Sequence, residues 1–223
     1  FNIACIAANP FGYQLKKSEN NWIGFIVDKG TSRIDRLDFG NDPNNTPIQI
    51  QIISDGDISN PEDIFIDSVQ GEWFGIVTTA NGNPNNNIYL LDFGTNLDNP
   101  APTITNLGNF GAVAPVRGAS FIYDGTRIVL VLPNNRSLIL VDLQDSFYNT
   151  PSQILSTPNV ANHSIFDLDI HKKCDEWFVI APSLSRLNVV SFGTDLMNNS
   201  PSVVKYSFPS PVISFNPFEV DIF

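Results

Sequence analysis

The sequence predicts an all-β repeat protein, because two independent markers recur together about every 50 residues and the segments between them are strand-like. The first marker is a tryptophan opening an apolar string: Trp22-Ile23-Gly24-Phe25, Trp73-Phe74-Gly75-Ile76 and Trp177-Phe178-Val179-Ile180. These tryptophans stand 51 and then 104 residues apart, so one copy is missing near 125, where Arg127-Ile128-Val129-Leu130 lies. The second marker is Leu37-Asp38-Phe39-Gly40, Leu91-Asp92-Phe93-Gly94, Val141-Asp142-Leu143 and Val190-Ser191-Phe192-Gly193. Each is followed by an Asn-rich stretch and a proline, namely Pro47, Pro102, Pro151 and Pro201.

The third copy shows the elements in order. Ala119 to Tyr123 reads as a first strand and Asp124-Gly125 as a tight hairpin turn. Arg127 to Leu132 reads as the second strand, with Pro133-Asn134-Asn135 as the next turn. Ser137 to Asp142 is the third strand, Asn149-Thr150-Pro151 a loop, and Ser152 to Ser156 a weak fourth strand. No stretch carries apolar residues at helical spacing between a cap and a stop, so helix is expected to be near zero. Four antiparallel strands per 50-residue repeat is the pattern of a β-propeller blade, whose sheet faces are buried only by neighbouring blades. The repeats are expected at about 10–60, 61–115, 116–164 and 165–216. Asn9-Pro10-Phe11-Gly12-Tyr13 matches Asn216-Pro217-Phe218-Glu219-Val220, so 217–223 open a further repeat. Residues 1–8 then read as the last strand of a preceding blade, and the chain as an excerpt from a ring of six or seven.

Composition narrows the function classes. The 223 residues are 42% hydrophobic, enough for a core, and only 16% charged, with a net charge of −11. Neutralising a nucleic-acid backbone needs clustered Lys and Arg, so no nucleic-acid partner is expected. The longest aliphatic run, Ile128 to Leu132, is far short of the roughly 20 residues that span a bilayer, so no membrane insertion is expected either. The chain opens on Phe1 and its one methionine is Met197, which reads as a processed product or part of a larger parent with further domains. Cys5 and Cys174 fall at different places of the repeat, and two free thiols are expected.

The string Pro61-Glu62-Asp63-Ile64-Phe65-Ile66-Asp67, followed by Trp73-Phe74-Gly75, Leu91-Asp92-Phe93-Gly94, Asn99-Pro100 and Thr105 to Asn109, resembles the propeller repeats of large type IX-secreted surface proteins of gliding bacteria. The resemblance runs blade by blade over the whole chain and implies an extracellular or cell-surface, adhesin-like or ligand-binding array. The third copy departs from it by lacking the Trp and the Phe-Gly and by inserting Val116, so its packing is expected to be locally altered.

Asp-Phe-Gly lacks the glycine-rich loop and catalytic loop that phosphoryl transfer needs, so Phe39, Phe93 and Phe192 are expected to fill space between blades. Gly40, Gly94 and Gly193 are expected to turn the chain out of the third strand. Trp22, Trp73 and Trp177 are expected to pack in the core rather than stack on sugars. Asp55 and Asp57 carry oxygen density but not calcium-loop spacing, so no metal is expected; His163 and His171 read as loop or strand-end residues, and no cofactor is implied. Four Asn-x-Ser/Thr matches, beginning at Asn44, Asn135, Asn162 and Asn198, are unremarkable in a chain this rich in Asn.

Loops joining second to third strands, and fourth strands to the next first strand, are expected to gather on one face of the ring. They are polar and Asn-rich, which suits hydrogen bonding to a glycan or protein surface. Asn81, Asn85, Arg117, Asn134 and Arg136 are the contact residues nominated there. The sequence therefore reads first as a non-catalytic extracellular binding or scaffolding module, with a protein or glycan partner. The alternative is a structural docking propeller in a secretion apparatus or virion. A second alternative is a carbohydrate-active enzyme, for which Asp63, Asp67, Asp167, Asp169 and Glu219 are the carboxylates to inspect.

Overall fold

In a computed structural model, residues 9–54, 56–80, 87–113, 115–184 and 186–207 are described. The fold is that of a β-propeller built from four antiparallel four-stranded blades, and no helix occurs among the described residues. Two compact units divide the chain, Phe1–Asn109 and Phe110–Phe223, each holding two blades.

Unit 1 contains β1 (Pro10–Ser18), β2 (Asn21–Asp28), β3 (Arg33–Gly40) and β4 (Ile48–Ile53), then β5 (Pro61–Val69), β6 (Glu72–Thr79), β7 (Ile88–Gly94) and β8 (Thr103–Gly108). Each set of four pairs in chain order as a meander, and β5 packs against β1 and β2. The second strands are almost wholly buried while the fourth strands are exposed or half-buried apart from Ile53, so the core lies between the inner parts of adjacent blades. There Phe25 of β2 meets Phe93 of β7 edge-to-face at 5.5 Å, an arrangement that suits the ring quadrupoles.

Unit 2 repeats the plan with β9 (Ser120–Tyr123), β10 (Ile128–Asn134), β11 (Ser137–Asp142) and β12 (Gln153–Ser156), then β13 (Asp169–Lys173), β14 (Glu176–Ser183), β15 (Arg186–Gly193) and β16 (Ser202–Ser207). Phe192 is buried with Val129, Val131, Leu138 and Leu140 of the neighbouring blade. β10 runs through Pro133 to Asn134, past the turn expected at Pro133. Asn134 pairs with Ser137, leaving Asn135-Arg136 as a two-residue connection with Asn135 at φ 60°.

The repeated sequence markers correspond to repeated hydrogen bonds. Trp22, Trp73 and Trp177 lie opposite Gly40, Gly94 and Gly193, each beside a register shift. Trp177 is buried and the other two half-buried, while Lys17 and Lys172 cap the rings of Trp22 and Trp177. The three glycines have φ of 65°, 69° and 69°, where a Cβ is disfavoured. In the third blade Arg127 replaces the Trp, and Gln144 adopts φ 59° in place of the glycine. Asp38, Asp92 and Asp142 accept the N–H two residues on, from Gly40, Gly94 and Gln144. Six residues past each third-strand aromatic or leucine, an Asn side chain donates back to its carbonyl: Asn45 to Phe39, Asn99 to Phe93, Asn149 to Leu143 and Asn198 to Phe192, at 2.9, 3.2, 3.3 and 3.1 Å. Between the two lies a buried plug, Leu97, Phe147 or Leu196; in the first blade it is the exposed Pro43. Asn198→Ala removes the donor of a half-buried bond and is expected to cost about 1 kcal/mol in urea unfolding, with no change of slope.

Arg127 explains the aberrant third copy. Its guanidinium reaches Asp124 at 3.2 Å and Asp142 at 3.4 Å in its own blade, and Asp195 at 2.5 Å in the next. Burial raises the Asp124 pKa, but hydrogen bonds from the Thr126 side chain, the backbone of Thr126 and Arg127, and the Arg127 side chain outweigh it and hold the value below the ordinary 3.8. A carboxylate depressed on folding contributes stability above its unfolded pKa and loses it as pH falls through the lower folded value. Arg127→Met is therefore expected to destabilise by about 2 kcal/mol at pH 7, because it leaves three carboxylates facing one another. The Asp124 part of that difference should fade below pH 3.8 in urea titrations run across pH.

Candidate functional site

Three segments of unit 2 converge: 115–118 before β9, the turn after β10, and 164–167 before β13. Ile165 N–H donates to the Asn135 carbonyl at 2.9 Å, Ser164 Oγ to Asn135 Oδ1 at 3.1 Å, and Phe166 N–H to the Pro182 carbonyl at 3.2 Å. These bonds tie the opening of the fourth blade both to the third-blade turn and to β14. Together Pro115, Arg117, Asn135, Ser164, Ile165 and Phe166 line a cavity of about 160 Å³. The half-buried Arg117 guanidinium lies 5.8 Å from the Phe166 ring centroid, within cation–π range. The inserted Val116 is fully buried, so the extra residue is absorbed into the core beside the cavity.

The next residue on each segment brings the backbones together. A Cβ on Gly118 would stand 2.4 Å from Asp167 Cα and 2.8 Å from its Oδ1. Unit 1 repeats this between β1 and β5, where a Cβ on Gly12 would stand 2.5 Å from Asp63 Oδ1 and 2.8 Å from its Cα. Asp63 and Asp167 are both half-buried. Asp167 Oδ1 accepts the Leu168 N–H at 2.7 Å. The positions around this contact differ between the units. Unit 1 has Phe11, Lys29 and Glu62 where unit 2 has Arg117, Asn135 and Phe166. Lys29 Nζ forms an ion pair with the Glu62 carboxylate, whose side chain is fully buried, and lies 4.7 Å from the Phe11 centroid.

The nominated residues therefore divide. Arg117 lines the cavity. Asn134 is turned to structural use, its Oδ1 accepting the Val113 N–H at 3.1 Å. Arg136 is exposed on the same turn, its carbonyl accepting the N–H groups of Val160 and Ala161. Asn81 and Asn85 lie outside the described residues, as do Asp55, Cys5 and Glu219. Asp57 is exposed and its Oδ2 accepts from Ser54 Oγ at 2.9 Å. Cys174 is an exposed free thiol in the β13–β14 turn. Asp67 lies 3.9 Å from Lys16, and Asp169 bonds to His171 at 2.6 Å along β13. Among the described residues no group of three or more His, Cys, Asp or Glu is placed to hold a metal ion.

Sequence reasoning missed Asn135, Ser164, Phe166 and the two glycines. One signal was present. The third residue of the blade-opening motif reads Gly12, Asp63, Gly118, Asp167 and Glu219 in turn, and the structure shows that each described acid rests on the glycine before it.

No protein-family model matches the sequence, and no curated protein matches it. Solved structures do share the fold. A thermostable family-43 glycoside hydrolase aligns at a TM-score of 0.62 and 8% identity, over 89% of this chain and 71% of that one. The catalytic domain of a GH62 α-L-arabinofuranosidase from Coprinopsis cinerea aligns at 0.56 and 13% identity, over 84% and 65%. An endo-arabinase from Bacteroides thetaiotaomicron aligns at 0.58 and 10% identity, over 91% and 81%. These likenesses correct the expectation of a non-catalytic binding or scaffolding module that is not an enzyme. The arrangement of blades is one that glycoside hydrolases use. Repeat regularity, acidity and Asn-rich loops do not separate a binder from a hydrolase, because first strands that present loops for binding also present carboxylates.

Proposed function

We propose that this chain is the propeller of a carbohydrate-active enzyme that cleaves glycosidic bonds, and that the equivalent aspartates Asp63 of unit 1 and Asp167 of unit 2 are each a candidate working carboxylate of their own unit. The observation that carries the reading is their common placement: each is the third residue of a blade opening, half-buried and seated against a glycine of the preceding blade. Glycosidic cleavage works through carboxyl groups that donate a proton to the leaving oxygen or act as base or nucleophile. Side chains held at the openings of first strands and packed against a neighbouring backbone suit that work better than side chains on loop tips. The fold neighbours support the substrate class, since they include an arabinofuranosidase and an endo-arabinase.

The resemblance of the repeats to secreted surface proteins adds an extracellular or cell-surface setting to the proposal. The deciding experiment incubates the protein with arabinan, arabinoxylan and galactan and follows new reducing ends. Turnover that survives in both Asp63→Asn and Asp167→Asn would remove the carboxylates from this role, and no turnover on any glycan would remove the enzyme reading.

A further inference from the structure

We propose that the unit 2 cavity is a subsite for one neutral sugar ring, held by two adjacent ring hydroxyls on Asn135 and Ser164. The inference deepens the carbohydrate reading above and rests on it for the class of ligand. The size is that of a single ring: a cavity of ~150 Å³ takes up a benzene, and this one measures about 160 Å³.

The polar part of the lining is a built pair rather than two loose side chains. Ser164 Oγ donates to Asn135 Oδ1 at 3.1 Å, and the Ile165 N–H donates to the Asn135 carbonyl at 2.9 Å. Side chain and backbone of Asn135 are thus both tied to the opening of the fourth blade. Asn135 also stands at φ 60°, a left-handed conformation that Asn adopts more readily than most residues. With Oδ1 engaged, the carboxamide presents its N–H donors, while Ser164 Oγ keeps its lone pairs as an acceptor. A donor and an acceptor joined side by side match two hydroxyls on neighbouring carbons of a sugar. One hydroxyl accepts from Asn135 Nδ2 and the other donates to Ser164 Oγ. Both groups are uncharged, so the ring they match is a neutral one.

Pro115, Ile165 and Phe166 supply the apolar part of the lining, against which the C–H groups of the ring pack. The Arg117 guanidinium, 5.8 Å from the Phe166 centroid, has a positioning part, holding that ring as a wall. In unit 1 the same place is spanned differently. Lys29, which stands where Asn135 does, reaches the Glu62 carboxylate at the position of Phe166. The shorter Asn135 stops at Ser164, and the room beyond it is the cavity. Asp167 directly follows Phe166, so a ring held here belongs to the same glycan as the bond that Asp167 would act on.

The test is a nuclear magnetic resonance titration of the protein with L-arabinose, D-xylose, D-galactose, glycerol and cyclohexanol, read at the Asn135 side-chain amide. Glycerol has a hydroxyl pair but no ring, and cyclohexanol a ring but no pair. At least one of the sugars is expected to bind tenfold or more tightly than either control. Asn135→Gly, which glycine accepts at this φ without strain, and Ser164→Ala are each expected to weaken that sugar about tenfold, as loss of a hydrogen bond to the ligand does; these are read from the backbone amides of 164–166. No shift with any of the three sugars, a control that binds as well as the sugars, or an unchanged affinity in either variant would each overturn the proposal. Both side chains are exposed, so both variants should fold. If either does not, Asn135→Asp, of the same shape but without N–H donors, decides by the same measure. Turnover is read separately. Sugar binding without hydrolysis of any polysaccharide removes the enzyme reading and keeps this site, whereas hydrolysis without sugar binding here removes the site and keeps the enzyme.

Discussion

Gly118→Ala should unfold unit 2 more readily than any other single methyl addition among the described glycines. The new Cβ would lie 2.4 Å from Asp167 Cα, 2.8 Å from its Oδ1 and 3.0 Å from the Phe166 carbonyl oxygen, with φ at +66°. Two of those three obstacles are backbone, which cannot swing aside as a side-chain tip does. Overpacking and left-handed strain act together here, each typically 1–3 kcal/mol, for a combined loss of about 4 kcal/mol in urea unfolding. Two controls separate the causes. Gly94→Ala carries the strain alone, with φ +69° and nothing within 4 Å, and should cost about 1 kcal/mol. Gly12→Ala carries the clash alone, at 2.5 Å from Asp63 Oδ1, and should fall between the two. A Gly118→Ala protein no less stable than Gly94→Ala would mean that the two segments are farther apart than described.

Asp167→Asn should abolish most glycan turnover while leaving the fold intact. The amide keeps an oxygen in place of Oδ1, so it still accepts the Leu168 N–H, and the unfolding midpoint should move little. What is lost is the ability to exchange a proton or to attack, which for a positioned acid or base lowers kcat by roughly 10²–10⁴-fold. KM should change less than kcat, because an amide of the same shape binds the ground state much as the carboxylate does. Asp63→Asn should show a loss of the same order. Parallel falls in kcat and in the unfolding midpoint would assign both residues to structure instead.

Much of the fold was legible because its markers are physical requirements. The tryptophans and the Phe-Gly pairs recur because a strand pair with a register shift places a glycine at positive φ opposite a large ring. The Asn-rich stretch after it recurs because one Asn per blade returns to a strand carbonyl. The third copy was legible as a departure, but its compensation was not. Arg127 replaces ring packing with three carboxylates, one of them 68 residues away, a contact that no local pattern announces. The site was less legible for the same reason. Arg117 could be nominated from its loop, but Ser164 and Phe166 become its neighbours only when two blade openings are brought side by side. Asn134, which reads like a ligand donor, is consumed in holding Val113. A polar residue on a loop does not declare whether its partner is the chain or a guest.

The seating of each acid on a glycine has one more implication. At the blade openings the backbones approach so closely that 12 and 118 have no room for any side chain, and the acids stand at the opening of the blade that follows. Acidity at this level is therefore rationed by shape: an anionic residue excludes a second one from the adjacent strand before any repulsion between like charges is felt. Directed evolution of this scaffold could change which acid stands at 63 or 167, yet adding one beside it would first demand that the strands be pried apart.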